Sequence, residues 1–511
     1  MRRTLIAVMG LLSASAALAQ PRFVASEIPL GEWPDDLFFA DMDGDGRSDL
    51  VLPRWSLNAG RELAIYLQDS ESRFPTSPSR LVEIKPEIIA IAIADLRPEP
   101  GNELLLFTAR SVFSLSSAIP SYTGNLRPLF DWPLVASVPD RRRVLYFPPP
   151  EDLDGDGRID LVLPGTEGYG IFHGEADEQF TLLHQFSTVN EELDPSEVPI
   201  GGPRLNTEFS LNERDGIVLR VSAQRNTAFD DFLSVGTHEG EGDDLLSTRL
   251  FLPSAITAHT NADARPDLVF LNIGQDLYGQ INLLLQNEQG QFAGTPDWRG
   301  SIDTRGDLRL MDVNGDGMQD MLRILDNSNE WDVNFYLNKG GRFDFQTPDQ
   351  VMKFSGYDLT VSVVDLDNNG QTQLSVSFYT IPVINAVRNA SIVRSQLLFL
   401  RGEGGQLFHT RPDFRLDQNF SADTVRGLSS QINLQTDIDR NGRRDALFVT
   451  DQGTLAARSI DASLRIADTP FWEYVPNRSI LEFGARDLNG DGVDDLFLQH
   501  STALTVLVAV P

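Results

Sequence analysis

The chain has 511 residues, no cysteine, and 74 Asp and Glu against 42 Lys and Arg, for a net charge of −32. So acidic a chain is a poor partner for nucleic acid or an anionic membrane surface. The lack of cysteine excludes disulfides, a thiol nucleophile and a lipid-modified N-terminal Cys.

In chain order, residues 1–19 read as a secretory signal peptide. Arg2 and Arg3 precede the apolar run 5–12, and Ala17, Leu18 and Ala19 form a small-residue cleavage site before Gln20. A secreted, periplasmic or cell-surface location without a lipid anchor is therefore expected. No later apolar run reaches the roughly 18 residues of a membrane-spanning helix. The apolar tail, 503–510, reads as a strand.

From residue 41 a nine-residue acidic stretch recurs. Full copies carry Asp41, Asp43, Asp45 and Asp49; Asp152, Asp154, Asp156 and Asp160; Asp312, Asn314, Asp316 and Asp320; and Asp487, Asn489, Asp491 and Asp495. Each has side-chain oxygens at positions 1, 3 and 5, a glycine at 6 and a carboxylate at 9. Ca²⁺ is a hard cation that takes six to eight oxygens, and carboxylates held this close repel one another without it. The glycine permits the positive φ that wraps a short loop around an ion. An EF-hand is excluded, because position 12 is Leu52, Leu163, Arg323 or Leu498 where that motif needs a bidentate Glu. The flanks alternate like strands, so the loop joins two strands.

Weaker copies complete the series. Asp437, Asp439, Asn441 and Asp445 keep every ligand type and are read as a working site. Asp365, Asp367 and Asn369 end in Gln373, which predicts a weaker one. The stretches 95–103 and 259–267 have lost ligands or glycine and are read as turns that survive without metal.

The loops start at 41, 95, 152, 259, 312, 365, 437 and 487, with a period near 53. Within a unit the order is strand, acidic loop, strand, turn, strand, Gly/Asn hairpin, strand. Four strands in roughly 50 residues, repeated, predict an all-β chain whose residues 20–511 form a single β-propeller. Eight blades are expected, with seven or nine as alternatives, and residues 185–250 are a degenerate blade or an insertion. The last unit lacks its fourth strand. Residues 23–30 are expected to supply it and so close the ring without a free edge.

At these loops the chain resembles the FG-GAP/VCBS-repeat, integrin-α-like propellers over residues 30–511. The resemblance implies Ca²⁺ at several loops on one rim and a secreted or surface protein acting in adhesion or recognition. The expected function is a non-catalytic, monomeric scaffold for an unidentified protein or polysaccharide ligand. The alternative is a Ca²⁺-dependent extracellular polysaccharide lyase, or another hydrolytic enzyme, on the same fold. No catalytic residue is singled out. His173, His184, His238, His259, His409 and His500 show no metal-ligand spacing, and no Gly-x-Ser-x-Gly elbow occurs. Trp33, Trp55, Trp132, Trp298, Trp331 and Trp472 are scattered and are read as packing between blades rather than as sugar platforms.

Overall fold

A computed structural model describes residues 21–30, 37–134, 145–186 except 148, 166 and 167, 255–380 except 264, 274–277, 304 and 328, 391–421 and 432–510. It also describes the backbone of four strands between 204 and 250. The predicted signal peptide lies outside the described residues.

The protein is all-β, and its strands form eight blades in a ring. Blade 1 is Phe38–Ala40, Asp49–Ser56, Gly60–Tyr66 and Arg80–Ile84, each antiparallel to the next. Blade 2 is Ala90–Ala94, Glu103–Phe107, Ser111–Ser116 and Arg127–Asp131, with the short strand Leu145–Tyr146 added in parallel at its first edge. In blade 3, Leu161–Gly165, Gly168–Gly174 and Phe180–Phe186 are regular, and a single bridge, Glu151 to Asp160, stands for the first strand.

Blade 4 is Ala255–Ala258, Asp267–Ile273, Tyr278–Leu284 and Trp298–Asp303. Blade 5 is Asp307–Met311, Asp320–Asp326, Glu330–Tyr336 and Gln350–Ser355. Blade 6 is Tyr357–Val364, Gln373–Thr380, Ser391–Phe399 and Phe414–Ser421. Blade 7 is Asn433–Thr436, Asp445–Val449, Leu455–Arg458 and Trp472–Tyr474. Blade 8 takes Glu482–Arg486, Asp495–Gln499 and Ala503–Val510 from the C-terminus. Its fourth strand is Arg22–Pro29, paired antiparallel along its whole length from Arg22 opposite Val510 to Pro29 opposite Ala503. The ring closes as the sequence predicts.

The second and third strands of a blade are apolar on both faces. Glu103–Phe107 is buried at every residue, and Ala503–Val510 at all but the last. That pattern suits a sheet packed between two others. Among the described residues the core is accordingly divided into eight clusters, one between each pair of consecutive blades. Phe335 and Met352 meet Val376 and Phe399 between blades 5 and 6, and Ile28, Leu504 and Val506 meet Leu50 and Ala64 between blades 8 and 1. Between blades 3 and 4, Tyr169, Ile171 and Phe186 pack directly on Leu268, Phe270 and Leu284. The strands between 204 and 250 form two hairpins, the first added to the sheet of blade 5 and the second, Leu233–Gly236 with Ser247–Leu250, a separate two-stranded sheet. One of them, Arg204–Asn212 with Gly216–Gln224, touches the first edge of blade 5 through the pairing of Val221 with Leu308.

Trp132 is buried edge-on to Phe172, and Trp298, Trp331 and Trp472 pack against cluster residues, as expected for blade packing. Trp55 is exposed. Trp33 lies outside the described residues.

Candidate metal centres on one rim

Every acidic loop joins the first to the second strand of its blade, so all of them stand at the same end of the ring. In the six best-formed loops the carboxylate at position 1 folds the backbone. Gly46, Gly157, Gly317, Gly370, Gly442 and Gly492 at position 6 donate their N–H to Asp41, Asp152, Asp312, Asp365, Asp437 and Asp487 at 2.7–2.8 Å. These glycines all have φ between 81° and 86°, the left-handed region that a side chain would strain. The Asp or Asn at position 5 accepts from the N–H at position 7, for example Met318 to Asp316 at 2.9 Å. Backbone geometry thus turns the oxygens of positions 1, 3 and 5 toward one another.

Position 9 has a second task. Asp320 accepts from the N–H of Val313 within its loop at 3.0 Å and from that of Asn338, just past the third strand, at 2.7 Å. Asp49, Asp160 and Asp495 make the same pair of bonds to Met42 and Gln68, Leu153 and Gly174, and Leu488 and Ala509. All four are buried. Burial, more than anything else, raises their affinity for protons: Asp49 is pushed up to about 6, and Asp320 and Asp495 to about 7. Asp445 rises to about 8, through burial first and then the charges of Asp439 and Asp437.

Adjacent loops are stitched together. The residue at position 8 donates to the start of the preceding loop: Ser48 to Leu488, Asn102 to Asp41, Gln319 to His259 and Arg444 to Leu366, all backbone bonds of 2.7–2.8 Å. Thr372 does so with its hydroxyl, to Val313 at 2.8 Å. A second stitch comes from the residue after the third strand. Gln286 Nε2 reaches the carbonyl of Leu153 and Asn338 Nδ2 that of Thr260, both at 2.7 Å. Gly44, at φ 78°, lies so close to the next loop that a Cβ there would sit 2.5 Å from Pro100. The spacing of the acidic residues carries no sign of these stitches.

The oxygens suit a hard cation. Asp43 Oδ1, Asp367 Oδ1 and Asp445 Oδ1 are buried and receive no hydrogen bond from the protein. Ligand oxygens of Asp41, Asp43 and Asp45, of Asp152, Asp154 and Asp156, and of Asp437, Asp439 and Asp445 gather within 4.8 Å in each group. Burial, and then the charge of Asp45, raises the proton affinity of Asp43. Asp439 is raised in the same way, with burial the main cause.

The degenerate loops look different. In blade 2, position 3 is Arg97, and its fully buried guanidinium bonds Ser114 Oγ and both the side chain and carbonyl of Asn125. Glu178 of blade 3 stands 3.5 Å from it and also pairs with Arg127, which pairs in turn with Glu99. A protein cation thus sits where other loops offer an oxygen. In blade 4, His259 replaces the first carboxylate; Asp263 at position 5 pairs with Arg265, as Asp45 does with Arg47 and Asp156 with Arg158, and Asp267 keeps the buried position-9 role toward Thr260 and Gln286.

Sequence spacing gave His173 no metal-binding role, yet the structure places it at a loop. Its Nδ1 stands 3.1 Å from Asp160 Oδ1 and 3.2 Å from Asp154 Oδ2. His409 and His500 serve hydrogen bonds to Asp413 and to Ser479 and Thr505.

Residues 312–374, from the start of blade 5's acidic loop to the start of blade 6's second strand, match the family described as FG-GAP-like repeat. That match and the eight-bladed ring fit an FG-GAP-repeat propeller family. No curated protein matches the chain. Among solved structures, the chain is similar to an Agrocybe aegerita lectin that recognises non-reducing terminal N-acetylglucosamine, at 14% identity and a TM-score of 0.39, over 76% of this chain and 80% of that one. It is also similar to the exotype rhamnogalacturonan lyase YesX, at 13% identity and a TM-score of 0.24, over 95% of this chain and 76% of that one.

Proposed function

We propose that this chain, an FG-GAP-repeat β-propeller by its repeat and its ring of eight blades, is an exported calcium-stabilised scaffold that recognises a protein or polysaccharide without transforming it. The observation that carries the reading is the row of acidic loops along one rim, with buried carboxylate oxygens that no protein donor reaches. Asp41, Asp43, Asp45 and Asp49 would hold one ion. Asp312, Asn314, Asp316 and Asp320, and Asp487, Asn489, Asp491 and Asp495, would hold others, with Asp437, Asp439, Asn441 and Asp445 alike. The loop of Asp365, Asp367 and Asn369 would bind more weakly, because Gln373 brings no charge at position 9. Bound Ca²⁺ neutralises the repelling carboxylates, and extracellular modules of this type bind it at roughly 10⁻⁴–10⁻³ M. The stitched loops pass that order from blade to blade and make the rim a rigid surface for a partner.

Binding to a glycan array and to immobilised envelope proteins, each with millimolar Ca²⁺ and with EDTA, tests the reading. The expected result is binding that EDTA abolishes and added Ca²⁺ restores, with the ligand recovered unchanged. Unsaturated sugar products would favour a lyase instead, and binding indifferent to Ca²⁺ would remove the scaffold reading.

A further inference from the structure

We propose that the third acidic loop takes a borderline divalent cation such as Zn²⁺, held by His173 with Asp154 and Asp160, and so differs in metal from the other loops. The proposal rests on the reading of these loops as cation sites.

The register of blade 3 delivers the imidazole. Gly174 donates its N–H to Asp160, the bond that Gln68, Gln286, Asn338 and Ala509 make to the position-9 carboxylates of blades 1, 4, 5 and 8. The residue before each donor therefore occupies one equivalent site. It is Leu67, Leu285, Leu337 and Val508 in those four blades, and His173 in blade 3. Four apolar side chains at this site need no relation to the loop. An imidazole there adds a nitrogen that the other four loops lack.

Geometry then selects the partners. Nδ1 of His173, Oδ2 of Asp154 and Oδ1 of Asp160 lie 3.1–3.2 Å apart along the two contacts that share the nitrogen. Tetrahedral ligands at about 2.0 Å from a zinc ion stand about 3.3 Å from one another. Asp156 stands farther from the imidazole, its Oδ2 3.6 Å from Nε2, and is paired with Arg158, which also bonds the Gly174 carbonyl at 2.9 Å. Asp154 is braced from the next blade: a Cβ on Gly290 would sit 2.7 Å from its own Cβ. Three protein ligands then leave the fourth position for water. Ca²⁺ takes oxygens, whereas imidazole suits zinc and its neighbours in the first transition row.

The test uses the full chain and His173→Leu, which restores the residue type of the sibling blades and so keeps the fold. Each is titrated with ZnCl₂ alone, with CaCl₂ alone, and with ZnCl₂ in millimolar Ca²⁺. Retained metal is measured after dialysis, and Co²⁺ absorption reports a nitrogen ligand. The proposal expects one Zn²⁺ per wild-type chain that millimolar Ca²⁺ does not displace. His173→Leu should weaken it by more than about 100-fold, since even outer partners of a ligand contribute roughly 10–100-fold. Its calcium count should not fall. Equal zinc binding by both chains, or no zinc retained by wild type, overturns the proposal. Zinc bound at His173 with no calcium bound anywhere would sink only the calcium scaffold.

Discussion

At position 5 the side chain accepts the N–H two residues on and, in the proposed calcium sites, also offers an oxygen to the ion. Asp316 does the first through Oδ1 to Met318. It shares its loop with Asp312 and Asp320. Asp316→Ala should therefore remove one calcium from the titrated count and lower the melting temperature in Ca²⁺. Asp263 sits in a loop that lacks both the first carboxylate and the position-6 glycine, with His259 and Ala264 in their places. Asp263→Ala should leave the calcium count unchanged and shift stability by no more than about 0.5 kcal/mol, the range of ordinary surface changes. Calorimetric titration of both variants decides: an ion lost with Asp263, or none lost with Asp316, reverses the ranking of the two loops. Arg97 extends the argument, because position 3 of the second loop carries a cation, bonded to Ser114 and Asn125, in place of an oxygen. These roles differ in how far they could be read ahead. Positions 1, 3 and 5 sit within five residues of one another, so their joint meaning is visible in the chain. His173 lies 13 residues beyond Asp160, at a distance set by the turn and the register of one hairpin, and no spacing rule reaches it.

Among the elements, the terminal strand bears the largest share of closure. Arg22–Pro29 pairs residue for residue with Ala503–Val510, and its Ile28 is fully buried in the cluster between blades 8 and 1. Removing residues 22–29 strips the ladder from Ala503–Val510 and bares an apolar edge, so the truncated protein should aggregate or melt far below the full chain. A monomer with an unchanged melt would mean that closure does not depend on this strand. Ile28→Ala is the gentler form: it keeps the ladder, opens a cavity, and should cost about 2–5 kcal/mol in denaturant unfolding. The borrowed strand could be foreseen because the last unit is one strand short while residues 23–30 have no unit of their own. The stitches could not. Asn338 and Gln286 read as ordinary polar residues at a hairpin, and only ring geometry brings their amides to the carbonyls of Thr260 and Leu153 in the preceding blade. Blade 3 shows the other limit of the repeat, since its first strand has eroded to the Glu151 bridge while its core against blade 4 is intact.

Over the whole molecule, the acidic loops, read as the proposed calcium sites, should make stability depend on pH and calcium together. In the metal-free protein, Asp49, Asp320, Asp445 and Asp495 hold protons up to about pH 6, 7, 8 and 7. Their unfolded counterparts lose theirs near pH 4. Between these limits the native state binds more protons than the unfolded one, so unfolding releases protons and stability falls as pH rises. The loss should begin near pH 4 and be complete by about pH 8. A cation held by the same loops favours the ionised carboxylates, lowers their proton affinity and removes this slope. It also adds RT ln(1 + [L]/Kd) to native stability, a gain that grows as protons cease to compete for the ligands. Melts in EDTA should therefore decline from pH 5 to pH 8, while melts in millimolar Ca²⁺ stay level or rise, so that the calcium-induced increase is largest at pH 8. The net charge of −32 gives a declining slope of its own by general repulsion. Salt separates the two, because 0.5 M NaCl screens the surface field but acts much less on buried carboxylates. A decline in EDTA that vanishes in salt, or a calcium effect equal at pH 5 and pH 8, would show that the loops do not carry the dependence. Asp320→Asn should remove its own share of the EDTA decline in high salt, leaving that of the other three, and lose one calcium in the same protein.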